Sequence, residues 1–490
     1  MGNVLLGVDI GSASSKGVLA RPDGTVVATA VREHELSTPR PGWVEHDAEQ
    51  VWWGDFVAIT RELTAAAPDD EVVGVGVSGI GPCLLAADEQ GDPLRPAILY
   101  GIDTRATAEI AELTDSYGES AIIDRCGSPL TSQAVGPKLL WLRRNEPQVW
   151  DRTRRIFMAS SLIVHRLTGT YVLDHHSASQ CTPLYDQREH TWITDWASDI
   201  APGLMFPELS WPGDVVGQVT GDAARLTGIP SGTPVIAGTI DAWAEAVSAG
   251  VTEPGDLMLM YGTTMFIVSV LAERLTWPTL WGTVGVKPNT YNLAAGMATS
   301  GAVTDWLRKL TGADFGVLVE EARSAGRGAN GLLMLPYFAG ERTPLFDTEA
   351  RGVVAGLTLR HSRGHLYRAA LEATAFGVRH NLEAMRAAGG GHRRLVAIGG
   401  GTKGGLWTQI VSDVLGEQQH LPEQTIGACY GDALLAAQSL GIAESTWNPI
   451  ATVIEPDPEA TADYNGLYGL YRDLYTSTTD ITHALAARQT

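Results

Sequence analysis

The segment from Asp9 to Lys16 combines residue types that can hold an anion. It reads Asp9-Ile10-Gly11-Ser12-Ala13-Ser14-Ser15-Lys16, a carboxylate at the end of a predicted strand, then small residues, then a cation. Backbone amides and hydroxyls in such a turn can approach phosphate oxygens. The same residues also suit a tight hairpin in which glycine and serine only satisfy the turn geometry. The segment alone leaves both interpretations open.

Two further glycine-rich segments favour the anion-binding interpretation. Gly262-Thr263-Thr264 joins two apolar runs, as the turn after Asp9 does in the first half of the chain. A third cluster, Gly399 to Gly405, follows the apolar run 395–398 and precedes a predicted helix. Glycine at these positions allows the backbone to approach a flat ligand face closely.

Asp241 lies where a predicted strand, beginning at Pro234, turns into a helix. As a helix N-cap, its carboxylate would accept backbone N–H bonds and contribute on the order of 1 kcal/mol to stability. As a general base, it would lie in a cleft and be oriented by the same amides. The two roles are compatible, and the spacing does not separate them.

The run Gly74-Val75-Gly76-Val77-Ser78-Gly79 satisfies the pattern GxGxxG, which is typical of dinucleotide-binding proteins. In that fingerprint the glycines follow a strand and open a helix. Here they alternate with valines inside a predicted strand, and Gly81-Pro82 interrupts any helix after them. We therefore reject the dinucleotide-binding interpretation.

The elements that carry these residues form two similar halves. Strands are predicted at 4–9, 17–20, 25–30, 72–77, 257–260, 265–270 and 395–398, and helices at 106–117, 139–144, 365–388 and 406–415. The pattern strand, polar turn, strand occurs near the start of each half, which indicates a weak internal repeat. Linker-like residues at 249–256 place the boundary between domains 1–250 and 251–490. The sequence predicts a mixed α/β fold.

Composition excludes several classes of protein. Lys and Arg number 35 against 56 Asp and Glu, a net charge of −21 that disfavours nucleic acid as a partner. No apolar run is long enough to span a membrane, and the N-terminus lacks the basic region of a signal peptide, so we expect a cytoplasmic protein. Four dispersed cysteines fit core positions in a reducing compartment. The histidines show no metal-site spacing.

Several segments together resemble the FGGY family of carbohydrate kinases. Gly352-Val353-Val354-Ala355-Gly356-Leu357, His365-Leu366 and Ala369-Ala370-Leu371-Glu372 fit the family's second signature at every constrained position. Lys138-Leu139, Trp141-Leu142 and Arg144-Asn145 match the first signature, although Val135 stands where Ser, Thr or Pro is usual. The resemblance implies two ribonuclease H-like α/β domains, as in actin, hexokinase and the heat-shock ATPases, with a cleft between them.

The resemblance also implies a role for each matching residue. Asp241 corresponds to the catalytic aspartate, and Asp9 and Asp241 to the residues near Mg²⁺, with Asp9 acting through water. The implied nucleotide-binding residues form three loops and a further contact at Gly301: Gly11, Ser12, Ser15 and Lys16; Gly262, Thr263 and Thr264; and Gly400, Gly401, Thr402 and Lys403. ATP is the implied phosphoryl donor.

The sugar is less closely defined by the resemblance. Segments around Trp43 and Asp103 resemble the xylulokinase and glycerol kinase branches, the xylulokinases most closely, and imply substrate binding by Trp43, Gly81, Pro82, Asp103 and Asp241. However, Gly81-Pro82 replaces the usual Met-His, and Ala242 replaces the Asn that commonly follows the catalytic Asp. A pocket that lacks these polar groups should discriminate less, or suit a substrate with fewer hydroxyls.

We therefore expect ATP-dependent phosphorylation of a ketopentose such as D-xylulose. A deoxy-ketopentose, a tetrose-derived sugar and a polyol are the alternative acceptors. A nucleotide-driven switch of the actin or chaperone kind is the alternative class, although the sequence offers no partner-binding module for it. The phosphorylated hydroxyl is left open, as are the metal preference and the oligomeric state, with a homodimer among the options.

Overall fold

Two seven-stranded sheets organise the computed structural model, which describes residues 2–444 and 447–489. The strands of the first half are β1 (Asn3–Ile10), β2 (Ser14–Ala20), β3 (Val26–Glu33), β4 (Glu45–His46), β5 (Glu71–Gly79), β6 (Leu85–Ala87), β7 (Ala97–Ile98), β8 (Arg155–Phe157), β9 (Val172–Asp174), β10 (Tyr185–Asp186), β11 (Thr191–Trp192), β12 (Glu208–Ser210), β13 (Val215–Gln218), β14 (Pro234–Ile236) and β15 (Thr239–Ile240). Its α-helices are α1 (Gly54–Ala66), α2 (Thr107–Tyr117), α3 (Glu119–Cys126), α4 (Val135–Asn145), α5 (Pro147–Trp150), α6 (Ala159–Thr168), α7 (His175–Ser179), α8 (Thr194–Ile200), α9 (Gly221–Thr227) and α10 (Asp241–Ser248).

The second half repeats this mixture of strands and helices. Its strands are β16 (Asp256–Tyr261), β17 (Met265–Leu271), β18 (Trp281–Val284), β19 (Tyr291–Met297), β20 (Leu333–Leu335), β21 (Val353–Ala355), β22 (Arg394–Ile398), β23 (Gln419–Pro422) and β24 (Ile450–Ile454). Its α-helices are α11 (Gly301–Thr311), α12 (Phe315–Ala325), α13 (Arg363–Ala387), α14 (Leu406–Leu415), α15 (Ala428–Ser439) and α16 (Pro458–Ala486). A π-helical segment covers Ala48–Trp53, and 3₁₀ segments cover Arg327–Gly331 and Gly400–Thr402.

The two large sheets share one topology. In the first, β3, β2 and β1 are antiparallel neighbours, and β5 and then β14 continue the sheet parallel to β1. In the second, β19, β17 and β16 are antiparallel neighbours, and β22 and then β23 run parallel to β16. The internal repeat expected from the sequence is therefore a repeat of structure.

Burial explains why the central strands are nearly continuous apolar runs. Val4, Leu5, Leu6 and Val8 of β1 are all fully buried, because the parallel neighbour β5 and the helices over both faces leave no solvent side. The mixed α/β fold with two such domains is confirmed.

Glycines allow helix α15 of the second half to pack directly on the first sheet. A Cβ at Gly7 would lie 1.9 Å from the carbonyl oxygen of Cys429, and one at Gly76 would lie 2.2 Å from that of Asp432. Gly76 belongs to the GxGxxG pattern, which lies inside β5 as a strand. Gly76 therefore allows α15 to pack closely on β5, and the rejection of a dinucleotide-binding loop is confirmed.

The predicted elements all occur, with ends that differ by a few residues from the expected ones. The four cysteines are buried and free, as expected for core positions. Among the described residues, none of the helices is long and apolar enough to cross a membrane.

Candidate active site

Strand register brings the predicted acids to one edge of the first sheet. Asp9, near the end of β1, is paired with Ser78 of the parallel strand β5. Ser78 is paired in turn with Thr239 of β15, which runs parallel to β5 and leads into Asp241. Because the carboxyl ends of parallel strands meet at one edge, Asp9 and Asp241 face the same space although 232 positions separate them in the printed sequence.

Asp241 is the first residue of α10, one position inside the helix, with Ile240 as the N-cap. Its Oδ1 accepts a hydrogen bond of 2.7 Å from the backbone N–H of Ala242. Among the described residues, its Oδ2 has no hydrogen-bond partner. The backbone thus orients the carboxylate, and one oxygen remains available to a ligand.

Three further carboxylates interact with Asp241. Burial and the neighbouring Asp9 raise the pKa of Asp241 well above its usual value, and burial raises the pKa of Asp9 to about 6 against the opposing charge of Lys16. Glu245 follows Asp241 by one helical turn, and burial together with Asp9 raises its pKa to about 7. Burial also raises the pKa of Asp432 well above its usual value.

Ser78 links two of these acids. Its hydroxyl lies 2.6 Å from Oδ2 of Asp432 and 3.3 Å from Oδ1 of Asp9. Because a hydroxyl carries a single proton, it can donate to only one of the two carboxylates. The shorter contact indicates that it donates to Oδ2 of the fully buried Asp432, whose Oδ1 has no partner among the described residues.

Lys16 and Arg342 are the cations near this acidic cluster. Lys16 is the cross-strand partner of Asp9. Arg342 lines the same cavity as Asp241, and within the described residues its guanidinium has no hydrogen-bonded or ion-paired carboxylate. A charged side chain without a partner beside a cavity is available to an incoming ligand.

A first cavity of about 350 Å³ contains both predicted acids. Its lining comes from both halves of the chain and is rich in hydroxyl, amide and aromatic side chains: Asp9, Ile80, Gly81, Tyr100, Ser128, Pro129, Thr131, Gln133, Ser179, Gln180, Thr182, Ile240, Asp241, Ala242, Trp243, Glu245, Met260, Thr264, Phe266, Trp281, Thr283, Arg342 and Ala428.

A second cavity, of about 600 Å³, lies entirely within the second half of the chain. It is lined mainly by glycine backbone and apolar side chains: Tyr261, Gly262, Thr263, Gly301, Thr304, Asp305, Phe315, Val319, Tyr367, Leu371, Gly400, Gly401, Lys403, Gly404, Leu406 and Trp407. A Cβ added at Gly400 or Gly404 would meet no atom within 4 Å. The backbone there is therefore open to a ligand.

The loop between β16 and β17 lies between the two cavities. Gly262 and Thr263 line the second cavity, whereas Thr264 lines the first. The loop is held by the start of α11, where the N–H of Gly301 donates to the carbonyl oxygen of Gly262 at 3.0 Å. A Cβ at Gly301 would lie 2.6 Å from that oxygen, so this contact requires glycine.

Seven of the twelve residues predicted to bind the nucleotide line these cavities, and none of the four in the loop after Asp9 does. The hydroxyl of Ser15 is fully buried and donates to Asp55 at 2.8 Å, and that of Thr402 donates to the carbonyl of Gly399 at 2.8 Å. Neither hydroxyl faces a cavity. Gly11, Ser12, Lys16 and Pro82 lie beside cavity-lining residues without being part of the lining.

Asp103 and Trp43 are not part of the lining of the first cavity. The carboxylate of Asp103 is buried, accepts from the backbone N–H of Val44 at 2.7 Å and is bridged to Arg105 at 2.7 Å. The Arg105 guanidinium carbon lies 4.1 Å from the ring centroid of Trp43. Asp103 thus neutralises a cation in the core, and direct contact of Asp103 or Trp43 with a substrate stays a prediction.

Sequence reasoning missed five residues of the site: Gln133, Gln180, Glu245, Arg342 and Asp432. Glu245 carried a signal, since it lies four residues after Asp241 on a predicted helix. The other four lie in loops or elements far along the chain, and only the tertiary fold brings them to the cavity.

The acidic cluster suits a divalent cation that arrives with its ligand. Within the described residues, no group of three or more His, Cys, Asp or Glu side chains could hold a metal ion. Mg²⁺ typically uses one or two carboxylates and completes its shell with water and substrate phosphates. Asp9 and Asp241 are two such carboxylates beside the cavity, and their mutual repulsion would be relieved by a cation.

The duplicated sheet and the cleft between its copies define the fold shared by actin, hexokinase and the heat-shock ATPases. Within that class, this chain belongs to the FGGY family of carbohydrate kinases, because the family's N-terminal domain model matches residues 4–248 and its C-terminal domain model matches residues 257–440. It is therefore a carbohydrate kinase, which decides against the actin- or chaperone-like switch.

Similar proteins include sugar and polyol kinases. The xylulose kinase of Rhodospirillum rubrum is 34% identical in sequence, with a TM-score of 0.91 over 98% of this chain and 100% of that one. The xylulose kinase of Staphylococcus epidermidis is 28% identical over 98% of both chains. The glycerol kinase of Nocardia farcinica is 31% identical over 90% of this chain and 93% of its own.

Proposed function

We propose that this kinase transfers the γ-phosphoryl group of ATP to a hydroxyl of a ketopentose, with D-xylulose as the preferred acceptor. The relatives named xylulose kinase, which match almost the whole chain, support this acceptor. The sugar occupies the first cavity and ATP the second, and domains 1–250 and 251–490 form the two lobes.

The loop shared by the two cavities is the observation that carries the proposal. A triphosphate that lies along Gly262 and Thr263 from the second cavity ends at Thr264, where the first cavity and Asp241 begin. A sugar hydroxyl in the first cavity is then placed in line with the terminal phosphorus. Positioning of this kind is the main protein contribution to phosphoryl transfer.

Asp241 acts as the general base in this proposal. A sugar hydroxyl is a weak nucleophile, so its proton must be accepted as the bond to phosphorus forms. Oδ1 of Asp241 is held by the backbone N–H of Ala242, and Oδ2, which has no partner among the described residues, can accept the proton.

Mg²⁺, when bound, neutralises phosphate charge, and Asp9 and Asp241 are the residues that would hold it. Lys16, beside Asp9, and the unpaired guanidinium of Arg342 supply fixed positive charge at the same place. We assign both cations to the transferred phosphoryl group, where charge accumulates in the transition state. The glycine-lined second cavity, including Gly400 and Gly401, takes the nucleoside.

A substrate panel tests the proposal. ADP release is measured with ATP and Mg²⁺ in the presence of D-xylulose, 1-deoxy-D-xylulose, D-erythrulose, xylitol or glycerol, and with no sugar. We expect sugar-dependent turnover with the highest kcat/KM for D-xylulose, and its loss on chelation of Mg²⁺. The similarity to glycerol kinase makes the polyols the strongest competitors. ATP turnover that no member of the panel stimulates would contradict the proposal.

A further inference from the structure

Two glutamines in the first cavity have amide groups whose orientations are fixed in opposite senses. Gln133 and Gln180 both line this cavity, and both are only partly buried. A carboxamide presents a donor at one end and an acceptor at the other, so the partner at the buried end decides which group a ligand meets.

Gln133 presents its N–H₂ group. Its Oε1 accepts a hydrogen bond from the backbone N–H of Gly101 at 3.1 Å. A backbone N–H can only donate, so the oxygen end of the amide must face Gly101. A Cβ at Gly101 would lie 2.9 Å from Cδ of Gln133, so glycine makes room for the amide.

Gln180 presents its oxygen, and a buried histidine determines this. Nδ1 of His176 lies 2.6 Å from the carbonyl oxygen of Val284, which can only accept, so Nδ1 carries the proton. Burial lowers the pKa of His176 to about 3, and the ring is therefore neutral with an acceptor at Nε2. Nε2 lies 3.0 Å from Nε2 of Gln180, so the amide nitrogen donates to His176.

The oxygen of Gln180 is left for a ligand. Among the described residues, Oε1 of Gln180 has no hydrogen-bond partner and is not buried from the cavity. His176 itself is fully buried and hydrogen-bonded to Val284 in β18 of the other lobe, so its ring holds the amide of Gln180 in one orientation. An acceptor held in this way requires a hydroxyl on the substrate.

We propose that Gln180 and Gln133 form a fixed acceptor and a fixed donor that select a fully hydroxylated ketopentose over its deoxy analogues. This inference rests on the proposed function. Gln133 serves the carbonyl oxygen, which can only accept, whereas Gln180 serves a hydroxyl. Because an alcohol oxygen also accepts, Gln133 does not separate a ketose from a polyol, and the selectivity against deoxy sugars comes from Gln180.

The inference revises the expectation drawn from Gly81-Pro82 and Ala242. Loss of the polar groups usual at those positions suggested either weaker discrimination or a substrate with fewer hydroxyls. The two oriented amides restore a donor and an acceptor from other elements of the cavity. The alternative of a deoxy-ketopentose is therefore the one that this site disfavours.

The test compares kcat/KM for D-xylulose with that for each monodeoxy-xylulose that retains the reacting hydroxyl. In the wild type, we expect the analogue that lacks the hydroxyl bound by Gln180 to have a kcat/KM lower than that of D-xylulose by a factor on the order of 10² or more. Without that hydroxyl, the oxygen of Gln180 is left unpaired. Gln180→Leu should reduce that ratio at least tenfold by lowering turnover of D-xylulose more than that of the analogue. Gln180→Met, of similar length, provides a second variant if leucine impairs folding.

A positioning test and a control complete the design. His176→Phe removes the acceptor that orients Gln180, so it should also lower the ratio, and adding Gln180→Leu to it should change the ratio little further. Gln50→Leu, at an exposed glutamine on the π-helical segment, serves as the matched control and should leave the ratio unchanged.

The outcomes distinguish this inference from the proposed function. An active wild type whose deoxy ratio is the same in Gln180→Leu and Gln180→Met would overturn the inference alone. A wild type that phosphorylates no ketopentose would overturn the proposed function, and the inference with it.

Discussion

The two cavities of this kinase differ in the groups that line them. The first cavity is lined by side chains of both lobes and holds Asp9, Asp241, Glu245 and Arg342 within about 350 Å³. The second is lined by one lobe, and its ligand-facing surface at Gly262, Gly301, Gly400 and Gly401 is mostly backbone. One cavity thus depends on charge, and the other on the absence of side chains.

The difference fits the ligand that we propose for each cavity. An acceptor hydroxyl must lose a proton, and only titratable side chains can take it. A nucleotide must be held against flat or concave backbone, for which glycine is suited because it adds no Cβ. We therefore expect substitutions that remove groups to impair the first cavity, and substitutions that add a methyl group to impair the second.

The largest effect is expected in the first cavity, for Asp241→Ala. Loss of the base should lower kcat by about 10² to 10⁴. ATP affinity should change little, because Asp241 does not line the second cavity and Asp9 still offers a carboxylate to Mg²⁺. Coupled ADP-release kinetics with D-xylulose, and calorimetric titration with an unhydrolysable ATP analogue, measure the two quantities.

Asp222→Ala is the matched control for this experiment, since Asp222 is an exposed helical aspartate paired with Arg225. It should behave like the wild type. Near-normal turnover by Asp241→Ala would remove Asp241 from the mechanism, and a parallel loss of ATP binding would mean that the two cavities are not separable as described.

In the second cavity, the test is to add a methyl group. Gly301→Ala places a Cβ 2.6 Å from the carbonyl oxygen of Gly262, so the loop between the cavities must shift. We expect the KM for ATP to rise about tenfold or more, with a smaller change in the KM for the sugar. Steady-state kinetics with each substrate varied in turn give both values.

Gly466→Ala tests whether the position or the substitution matters. Gly466 lies in α16, and a Cβ there would meet no atom within 4 Å. Its KM for ATP should equal that of the wild type. If Gly301→Ala raised the KM for the sugar as much as that for ATP, the assignment of the second cavity to the nucleotide would be wrong.

The second cavity was the easier one to predict from the sequence. Two of its loops are glycine-rich stretches directly after apolar strands, and this local pattern predicted Gly262 and Gly400 as neighbours of a ligand, whereas Gly301 came from the family resemblance. Ser15 and Thr402 were harder, because local pattern does not reveal that their hydroxyls turn to Asp55 and Gly399.

Of the residues that line the first cavity, the sequence predicted only Asp9, Gly81, Asp241 and Thr264. Gln133, Gln180 and Arg342 come from loops whose sequences carry no signal of their orientation. Their roles depend on which neighbour takes the other end of the side chain, as His176 does for Gln180. Such contacts are set by tertiary packing, and neither periodicity nor spacing along the chain predicts them.

The smallest effect concerns Asp432, which supports the first cavity without lining it. Because burial raises its pKa above the usual 3.8, folded Asp432 keeps its proton at pH values where the unfolded chain has lost it. The folded state then binds more protons than the unfolded state, so this group lowers the free energy of unfolding as pH rises above about 4.

Asp432→Asn mimics the protonated acid and keeps a hydrogen-bonding partner for Ser78. We expect it to retain turnover and to be more stable than the wild type by an amount that increases with pH, by at most about 1.4 kcal/mol per pH unit. Urea unfolding of both proteins at pH 5, 6, 7 and 8 gives that difference, in which the titration of all other groups cancels. A difference that does not change with pH would mean that Asp432 is already ionised in the folded protein over this pH range.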